Sequence, residues 1–254
     1  MDADEFFNMI FDKLEQQLKA ANKENILKQF FGGEICNQII SKNCEHVSER
    51  IESFFALSIE VKGKKSILES LELFVRGDIL EGDNKYFCDS CKLKVNAVKR
   101  SCVNSLPDNL IIHNKRFEFD LELLKRVKVN DYCEFPFTLD MKPYTKEGLA
   151  AKEDPTQQVQ FKPDSYYQYR LSGVLVHSGT AESGHYYSYI KERDASPEGG
   201  KWYHFNDMDV EPFDINVKKE KENDCKRSKM NGLIPGFFCF FFVLDASKCN
   251  VWWC

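Results

Sequence analysis

Apolar residues at the beginning of the chain recur with helical spacing. They are Phe6, Phe7, Ile10, Phe11, Leu14 and Leu18. Asp2 or Asp4 can serve as the N-cap, and Glu5 falls in the first turn, where an acidic side chain suits the helix dipole. The pattern predicts an amphipathic helix that packs its apolar face inward.

A second amphipathic helix is predicted further along the chain. Ser66 and Glu69 have the spacing of a capping box, in which the two side chains satisfy free backbone amides of the first turn. Leu71 and Phe74 continue the apolar stripe, and Gly77 is typical of a helix end.

Strands dominate the rest of the predicted structure. Apolar, aromatic and alternating runs predict strands at residues 54–61, 97–103, 110–119, 167–176, 185–191 and 201–206. Residues 146–164 are polar and show no period, so we predict an inserted loop there.

The composition is that of a globular chain with a sizeable core. With 254 residues, 43% of them hydrophobic, the chain is long enough to form one or two domains. Its formal net charge of -5 disfavours nucleic acids and anionic membranes as partners and suits a cationic partner instead.

Cysteine usage indicates a reducing compartment. The chain has ten cysteines, but no signal-like segment is visible at its N-terminus. Reduced thiols in the cytoplasm or the nucleus are therefore the simpler interpretation. The longest apolar run, residues 237–244, is too short to span a bilayer.

The strongest chemical signal is a histidine near an amide and a carboxylate. His185 opens one predicted strand, and Asn206 and Asp207 close the next. Two such strands lie antiparallel, which brings the His185 imidazole within hydrogen-bond reach of Asn206 or Asp207. That pair is the base half of a nucleophilic triad. A histidine in an aromatic strand is more often structural, and this alternative stays open.

Several sequence blocks occur in an order that resembles one enzyme family. The blocks are MDADEF at 1–6, LP at 106–107 with HNKRF at 113–117, FP at 135–136 with LDM at 139–141, VLVHSG at 174–179, GHYYSY at 184–189 and WYHFND at 202–207. Together they resemble the ubiquitin-specific proteases, a family of cysteine-type deubiquitinases. The sequences GDILEG at 77–82 and PYT at 143–145 are most similar to the very large members of the family that are related to fat facets.

The resemblance implies an α+β, papain-like fold with the fingers and palm largely present and most of the thumb missing. Residues 1–215 would form a partial catalytic domain. The last thumb helix would occupy 1–30, the fingers 31–105, and the palm with its His box 106–215. Residues 216–254 would be a divergent charged linker and a Phe-rich tail, in which 237–244 is a poor substitute for the final palm strand.

The resemblance also implies a reaction, the thiol-dependent hydrolysis of ubiquitin isopeptide bonds. By this resemblance, His185 would be the general base that deprotonates the cysteine. Asn206 would orient the His185 imidazole, and Asp207 would be a secondary orienting residue. No cofactor would be required for catalysis.

Ubiquitin and ubiquitinated proteins are the partners that the resemblance implies. The expected contacts to ubiquitin are Asp2, Glu5, His177, Gly184 and Tyr186. For His177, a purely structural role at a strand end is an equal alternative.

The nucleophile is the main departure from the family pattern. The family's catalytic cysteine lies upstream of the first helix, where this chain begins with Met1. Neither Cys102 nor Cys133 opens a helical pattern, a position that would lower the pKa of a thiol. Cys225 lies in a charge run, and Cys239, Cys249 and Cys254 lie in a tail that has no counterpart in the family. We therefore expect the chain to lack the nucleophile, and the alternative function is ubiquitin binding without chemistry.

A zinc site is predicted only in part. Cys88 and Cys91 have the Cys-x-x-Cys spacing of half a structural zinc site, although a redox pair or two idle thiols are alternatives. The family's finger supplies the other pair earlier in the chain, where Cys44 is present but Ile40 or Ser41 stands in its partner's place.

Two nearby substitutes for the missing ligand, Cys36 and His46, do not have the right spacing. We therefore expect an incomplete zinc site.

Overall fold

A computed structural model of the chain describes residues 3–23, 25–193, 200–214 and 239–246. The helices are α1 (Ala3–Ala20), α2 (Asn25–Phe31), α3 (Ile67–Arg76) and α4 (Lys146–Glu153). The strands of the first half are β1 (Gly33–Ser41), β2 (Val47–Phe54), β3 (Ala56–Glu60), β4 (Asp78–Leu80), β5 (Tyr86–Cys88), β6 (Leu93–Val95), β7 (Ala97–Ser105), β8 (Asn109–Lys115), β9 (Phe117–Asp120) and β10 (Lys125–Lys128). The remaining strands are β11 (Thr138–Asp140), β12 (Gln168–Gly179), β13 (Gly184–Lys191), β14 (Trp202–Asn206), β15 (Asp209–Phe213) and β16 (Cys239–Ala246).

Two sheets organise the described residues. One has the strand order β2-β1-β7-β4, and the larger has the order β15-β14-β13-β12-β16-β8-β3, with β11 paired to β12. All pairs in the larger sheet are antiparallel except β3 with β8, which run parallel. The hairpins β5-β6 and β9-β10 stand apart from both sheets. This mixture of helices and sheets confirms the α+β prediction.

The core lies where α3 packs against the sheets. Ile67 and Leu71 on α3 are buried in one cluster with Leu57 of β3 and Val103 of β7. A fully buried apolar side chain contributes about 1.5–3 kcal/mol, so this contact joins the two sheets into one body.

The predicted capping box is present at the start of α3. The Ser66 side chain accepts a 3.3 Å hydrogen bond from the Glu69 backbone amide. The Glu69 carboxylate in turn accepts from the Lys65 amide at 2.9 Å. Gly77 ends the helix with φ 76, and a Cβ at this position would collide with Arg100.

The first helix is confirmed, but it does not bury its apolar face as predicted. None of the described residues of α1 is buried. Phe7 and Phe11 are half-buried against β8, whereas Phe6 and Leu14 are exposed. Within the described residues no helix is both long and apolar enough to cross a membrane.

Part of the predicted loop at residues 146–164 is a helix. Thr145 caps α4, its side chain accepting a 3.1 Å hydrogen bond from the Gly148 amide. Leu149 is buried in the core, and Arg100 of β7 forms an ion pair with Glu153. These tertiary contacts stabilise a helix whose own apolar pattern is too short to detect.

The strand predicted at residues 110–119 is divided at Arg116. The Arg116 side chain is fully buried, and its guanidinium donates to the carbonyl oxygens of Val129 and Asp131 at 3.0 and 2.8 Å. Because a buried guanidinium needs such acceptors, the chain leaves the sheet here and starts the separate hairpin β9-β10.

The Phe-rich segment predicted as a tail contributes a strand to the larger sheet. Strand β16 pairs with β12 on one side and with β8 on the other. This placement agrees with the alternative that residues 237–244 substitute for a palm strand. The rest of the segment predicted as charged linker and tail, residues 216–238 and 247–254, lies outside the described residues.

Candidate active site

The predicted base and its orienting amide meet at one end of the larger sheet. Strands β13 and β14 pair antiparallel, which brings the start of β13 close to the end of β14. The His185 Nε2 atom lies 2.5 Å from Asn206 Oδ1. An amide oxygen only accepts hydrogen bonds, so Nε2 carries the proton and Nδ1 is left as the basic nitrogen. The imidazole is about half exposed, at 47%.

Asp207 lies further from the imidazole than Asn206 does. Its Oδ2 atom is 4.0 Å from His185 Nε2, beyond hydrogen-bond distance, and its side chain is 80% exposed. Asp207 has φ 51 in the tight turn between β14 and β15, a conformation that aspartate tolerates better than most residues. The geometry therefore assigns the orienting contact to Asn206 and leaves Asp207 a weaker electrostatic effect.

Gly184 is required for the close packing beside His185. It pairs with Gly179, where β12 ends and β13 begins. A Cβ at Gly184 would overlap the His177 ring and the Ser178 carbonyl oxygen. The predicted importance of Gly184 thus has a steric reason in this structure, whatever its contact to a partner.

His177 and Tyr186 form an aromatic wall next to the site. They are direct partners across β12 and β13, with ring centroids 4.6 Å apart, and Phe117 of β9 lies 5.4 Å from His177. His177 is only 4% exposed, which favours the structural alternative for this residue. The Tyr186 hydroxyl accepts a 3.2 Å hydrogen bond from the Ala3 amide and so fixes the start of α1 beside β13.

Glu5 lines a small cleft between α1 and the β9-β10 hairpin. The cleft has a volume of about 180 Å³ and is also lined by Glu118 and Arg126. Glu118 already pairs with Lys62 at 2.7 Å. Asp2, the other acidic residue predicted to contact a partner, lies outside the described residues.

Lys128 is a site residue that the sequence did not reveal. Its Nζ atom donates to the carbonyl oxygens of His177 and Gly179 at 3.0 and 3.1 Å. Burial and the nearby Arg116 guanidinium lower the pKa of this lysine to about 8. Nothing in the charged run KRVK at 125–128 distinguishes it, because the carbonyls it binds are about fifty residues away along the chain.

Asp4 also has a role beyond that of a possible helix cap. Its Oδ1 atom lies 3.5 Å from Nδ1 of the buried His113, and Ser58 Oγ lies 3.1 Å from the same nitrogen. These contacts attach α1 to β8 and β3, next to the site.

The predicted zinc ligands are brought together. The Sγ atoms of Cys44, Cys88 and Cys91 all lie within 4.8 Å of one another, and two of them, Cys44 and Cys88, are 3.6 Å apart. A hydrogen bond with the Ser41 side chain lowers the pKa of the Cys44 thiol, and a hydrogen bond with the His46 backbone lowers it further. Three thiols in such a group fit zinc, but the group holds no fourth protein ligand among the described residues.

The remaining described cysteine side chains are unsuited to nucleophilic attack. Cys36 and Cys102 face each other inside the smaller sheet, and Cys133 is buried in the core. Burial raises the pKa of Cys102 to about 12 and that of Cys133 to about 11. Within the described part of the chain, no cysteine is hydrogen-bonded to His185.

Comparison with known proteins decides the family. The family model described as ubiquitin carboxyl-terminal hydrolase matches residues 1–230. The chain belongs to the ubiquitin carboxyl-terminal hydrolase family. The predicted membership of the ubiquitin-specific proteases is therefore confirmed.

Curated relatives place the chain near the predicted branch of the family. It is 41% identical over 236 residues to mouse ubiquitin carboxyl-terminal hydrolase 9X, and this match covers 88% of this chain and 9% of that protein. It is 42% identical over 230 residues to human ubiquitin carboxyl-terminal hydrolase 24, with 85% of this chain and 9% of that protein covered. A Drosophila melanogaster relative, probable ubiquitin carboxyl-terminal hydrolase FAF, is 39% identical over 227 residues, covering 88% and 8% respectively. The chain thus spans about a tenth of the length of these relatives.

A solved structure of the family shares the fold. The structure of the SAGA Ubp8/Sgf11/Sus1/Sgf73 DUB module bound to ubiquitin aldehyde matches with a TM-score of 0.73 and 26% identity. The match covers 96% of this chain and 49% of that one.

Proposed function

We propose that this chain supplies the general base and its orienting amide to a cysteine-type deubiquitinase. The 2.5 Å contact between His185 and Asn206, in a chain of the ubiquitin carboxyl-terminal hydrolase family, carries this proposal. Such a contact fixes the tautomer and the orientation of the imidazole, which is what the third member of a nucleophilic triad does.

The reaction is acyl transfer at the isopeptide bond that follows the last glycine of ubiquitin. His185 Nδ1 takes the proton of a cysteine thiol, and the thiolate attacks the carbonyl carbon. The resulting imidazolium gives that proton to the leaving lysine amine, which leaves a thioester. The neutral imidazole then takes a proton from water, and the hydroxide releases the ubiquitin carboxylate and regenerates the thiol.

Ubiquitin is the proposed partner. The solved relative in the DUB module is bound to ubiquitin aldehyde, which supports binding of ubiquitin by the matching surface here. The cleft between α1 and the β9-β10 hairpin is lined by the carboxylates of Glu5 and Glu118 and by Arg126, so acidic groups outnumber basic ones in its lining. Carboxylates can pair with cationic side chains, and the C-terminal tail of ubiquitin carries arginines.

A second candidate function is ubiquitin binding without catalysis. The described cysteine side chains favour it, because they are either buried in the sheets and core or grouped at the β1-β2 loop and the β5-β6 hairpin. Under this hypothesis the 254-residue chain binds ubiquitin through its palm and fingers, and hydrolysis needs a cysteine from another segment.

A thiol-directed ubiquitin probe tests both candidates. We expect no covalent adduct with the 254-residue chain, but an adduct once a cysteine-bearing segment from a curated relative is joined ahead of α1. His185→Ala in that longer chain should abolish hydrolysis of a ubiquitin fluorogenic amide, whereas His204→Phe, which preserves ring stacking on Tyr189, should not. Full activity of His185→Ala would refute the assignment of the base. Binding of ubiquitin without adduct formation by the longer chain would favour the second candidate.

A further inference from the structure

A compact turn at residues 180–183 leads directly to His185. The Thr180 amide donates a 2.8 Å hydrogen bond to the Ser183 carbonyl oxygen, and the Thr180 hydroxyl accepts a 3.3 Å hydrogen bond from the Ser183 amide. Gly179 precedes the turn with φ 114, a conformation that glycine adopts without strain. Because the turn is bonded within itself, a displacement of Gly179 is passed on to the start of β13 and so to the His185 imidazole.

Lys128 fixes the β12 side of this turn. Its Nζ atom donates to the carbonyl oxygens of His177 and Gly179 at 3.0 and 3.1 Å. An ammonium group carries three protons on one atom, so a single side chain can bind both carbonyl oxygens of this strand end. Hydrogen bonds from a charged donor are stronger than those between neutral groups. The end of β12 is therefore attached to β10 by one side chain.

The β9-β10 hairpin gives Lys128 a rigid base. Lys128 pairs with Phe117 across the hairpin, and the Phe117 ring packs 5.4 Å from the His177 ring. The next residue, Val129, exchanges two hydrogen bonds with Arg116. The Val129 amide donates to the Arg116 carbonyl oxygen at 2.7 Å, and the Val129 carbonyl oxygen accepts from the Arg116 guanidinium at 3.0 Å. Since the Arg116 side chain is fully buried, the lysine extends from a well-packed part of the molecule.

The surroundings of Lys128 disfavour its charge. Burial of the amine, followed by the nearby Arg116 guanidinium, lowers its pKa to about 8. The charge therefore does not add to the stability of the fold. Groups with such shifted pKa values are concentrated at functional sites. The contacts of Lys128 at the turn before His185 indicate which function the ammonium serves.

We propose that Lys128 is a positioning residue for the general base and holds the turn at residues 180–183 where the His185 imidazole meets Asn206. It acts through the backbone of β12 and not by contact with the reacting atoms. The catalytic consequence of this inference rests on the proposed function. Its structural consequence, the contact between His185 and Asn206, can be measured in the 254-residue chain without catalysis.

Nitrogen-15 NMR of the imidazole tests the structural consequence, with His185→Ala used to assign the signals. At a pH where the ring is neutral, the wild-type chain should show the Nε2–H tautomer, because Asn206 Oδ1 accepts that proton. Lys128→Met keeps the length of the side chain but removes the donor, and it should give a mixture of both tautomers. Lys128→Arg keeps a charged donor and should retain the Nε2–H tautomer.

Lys125→Met is the matched control for this measurement. Lys125 is exposed on the same strand, so its loss should leave the Nε2–H tautomer unchanged. Hydrogen exchange at Val174 and Tyr189, which pair within β12 and β13, checks that these strands stay folded. If Lys128→Met does not fold, Lys128→Gln takes its place, because its shorter amide cannot reach both carbonyl oxygens. An unchanged tautomer in the Lys128 variant, or an equal mixture in the control, would overturn the proposal.

Steady-state kinetics of the longer chain with a cysteine-bearing segment test the catalytic consequence. Lys128→Met should lower kcat by about 10–100-fold and leave KM nearly unchanged, because a misplaced base affects the chemical step more than binding. Lys128→Arg should recover most of the lost kcat. A change in KM alone would contradict a positioning role. A mixture of tautomers in Lys128→Met, combined with full activity of His185→Ala, would refute the proposed function but not the effect of Lys128 on the imidazole.

Discussion

The Lys128 ammonium donates a 3.1 Å hydrogen bond to the Gly179 carbonyl oxygen, and a 3.0 Å bond to that of His177. These bonds join the β9-β10 hairpin to the end of β12, at the loop that leads to His185. The two acceptors favour the charged amine, but burial and Arg116 outweigh them and lower its pKa to about 8.

Lys128 is expected to make stability increase with pH in the alkaline range. An unfolded lysine has a pKa of about 10.4, so between about pH 8 and 10.4 the unfolded chain binds more protons than the folded chain at this residue. The cost of the buried charge is therefore present in full below pH 8 and is relieved as the pH rises. Urea unfolding at pH 7.5 and 9.5 should show that wild type gains stability relative to Lys128→Met at the higher pH. A constant difference between the two proteins would contradict the lowered pKa.

His185, Asn206 and Asp207 should contribute unequally to catalysis. In the longer chain with a cysteine-bearing segment, His185→Ala should lower kcat/KM by about 10³-fold or more, because it removes the general base. Asn206→Ala should cost less, since an orienting group only tunes the base. Asp207→Ala should have the smallest effect, because its carboxylate is exposed and 4.0 Å from the imidazole. Steady-state hydrolysis of a ubiquitin fluorogenic amide measures all three, and a larger loss for Asp207→Ala than for Asn206→Ala would reverse their roles.

Gly184→Ala should destabilise the chain through steric overlap. The added methyl group would meet the His177 ring and the Ser178 carbonyl oxygen, and forced overpacking costs about 1–3 kcal/mol. Gly173→Ala on β12 is the matched control, because its Cβ would have ordinary contacts of 3.7 Å or more. Urea unfolding should show a neutral or slightly stabilising effect for Gly173→Ala. Equal effects of the two substitutions would mean that the close approach at Gly184 is absent in solution.

Tyr186→Phe should loosen the start of α1 and leave the aromatic wall intact. It removes the hydroxyl that accepts the Ala3 amide, while a phenyl ring can still pack against His177. The loss of one such hydrogen bond costs about 0.5–1.5 kcal/mol. Hydrogen exchange of the first turn of α1 should become faster. In the control Tyr203→Phe no change is expected, because the Tyr203 hydroxyl makes no hydrogen bond within the described part of the chain.

Local features of this protein were determined by the sequence itself. Ser66 and Glu69 predicted the cap of α3, and the position of His185 and Asn206 at adjoining strand ends predicted their contact. Both depend on interactions between residues close in the chain, twenty-one positions apart in the case of the histidine and the asparagine. At such short range, strand period and hairpin pairing leave few alternative arrangements.

Long-range features were decided only by the tertiary structure. Lys128 became a site residue because the β9-β10 hairpin meets the end of β12, and α4 formed where Leu149 found a place in the core. Strand β16 does not alternate in sequence, yet the tertiary structure pairs it with β12 on one side and with β8 on the other, inside the larger sheet. A hydrophobic pattern records which side chains avoid water, but not which distant strand or carbonyl oxygen they meet.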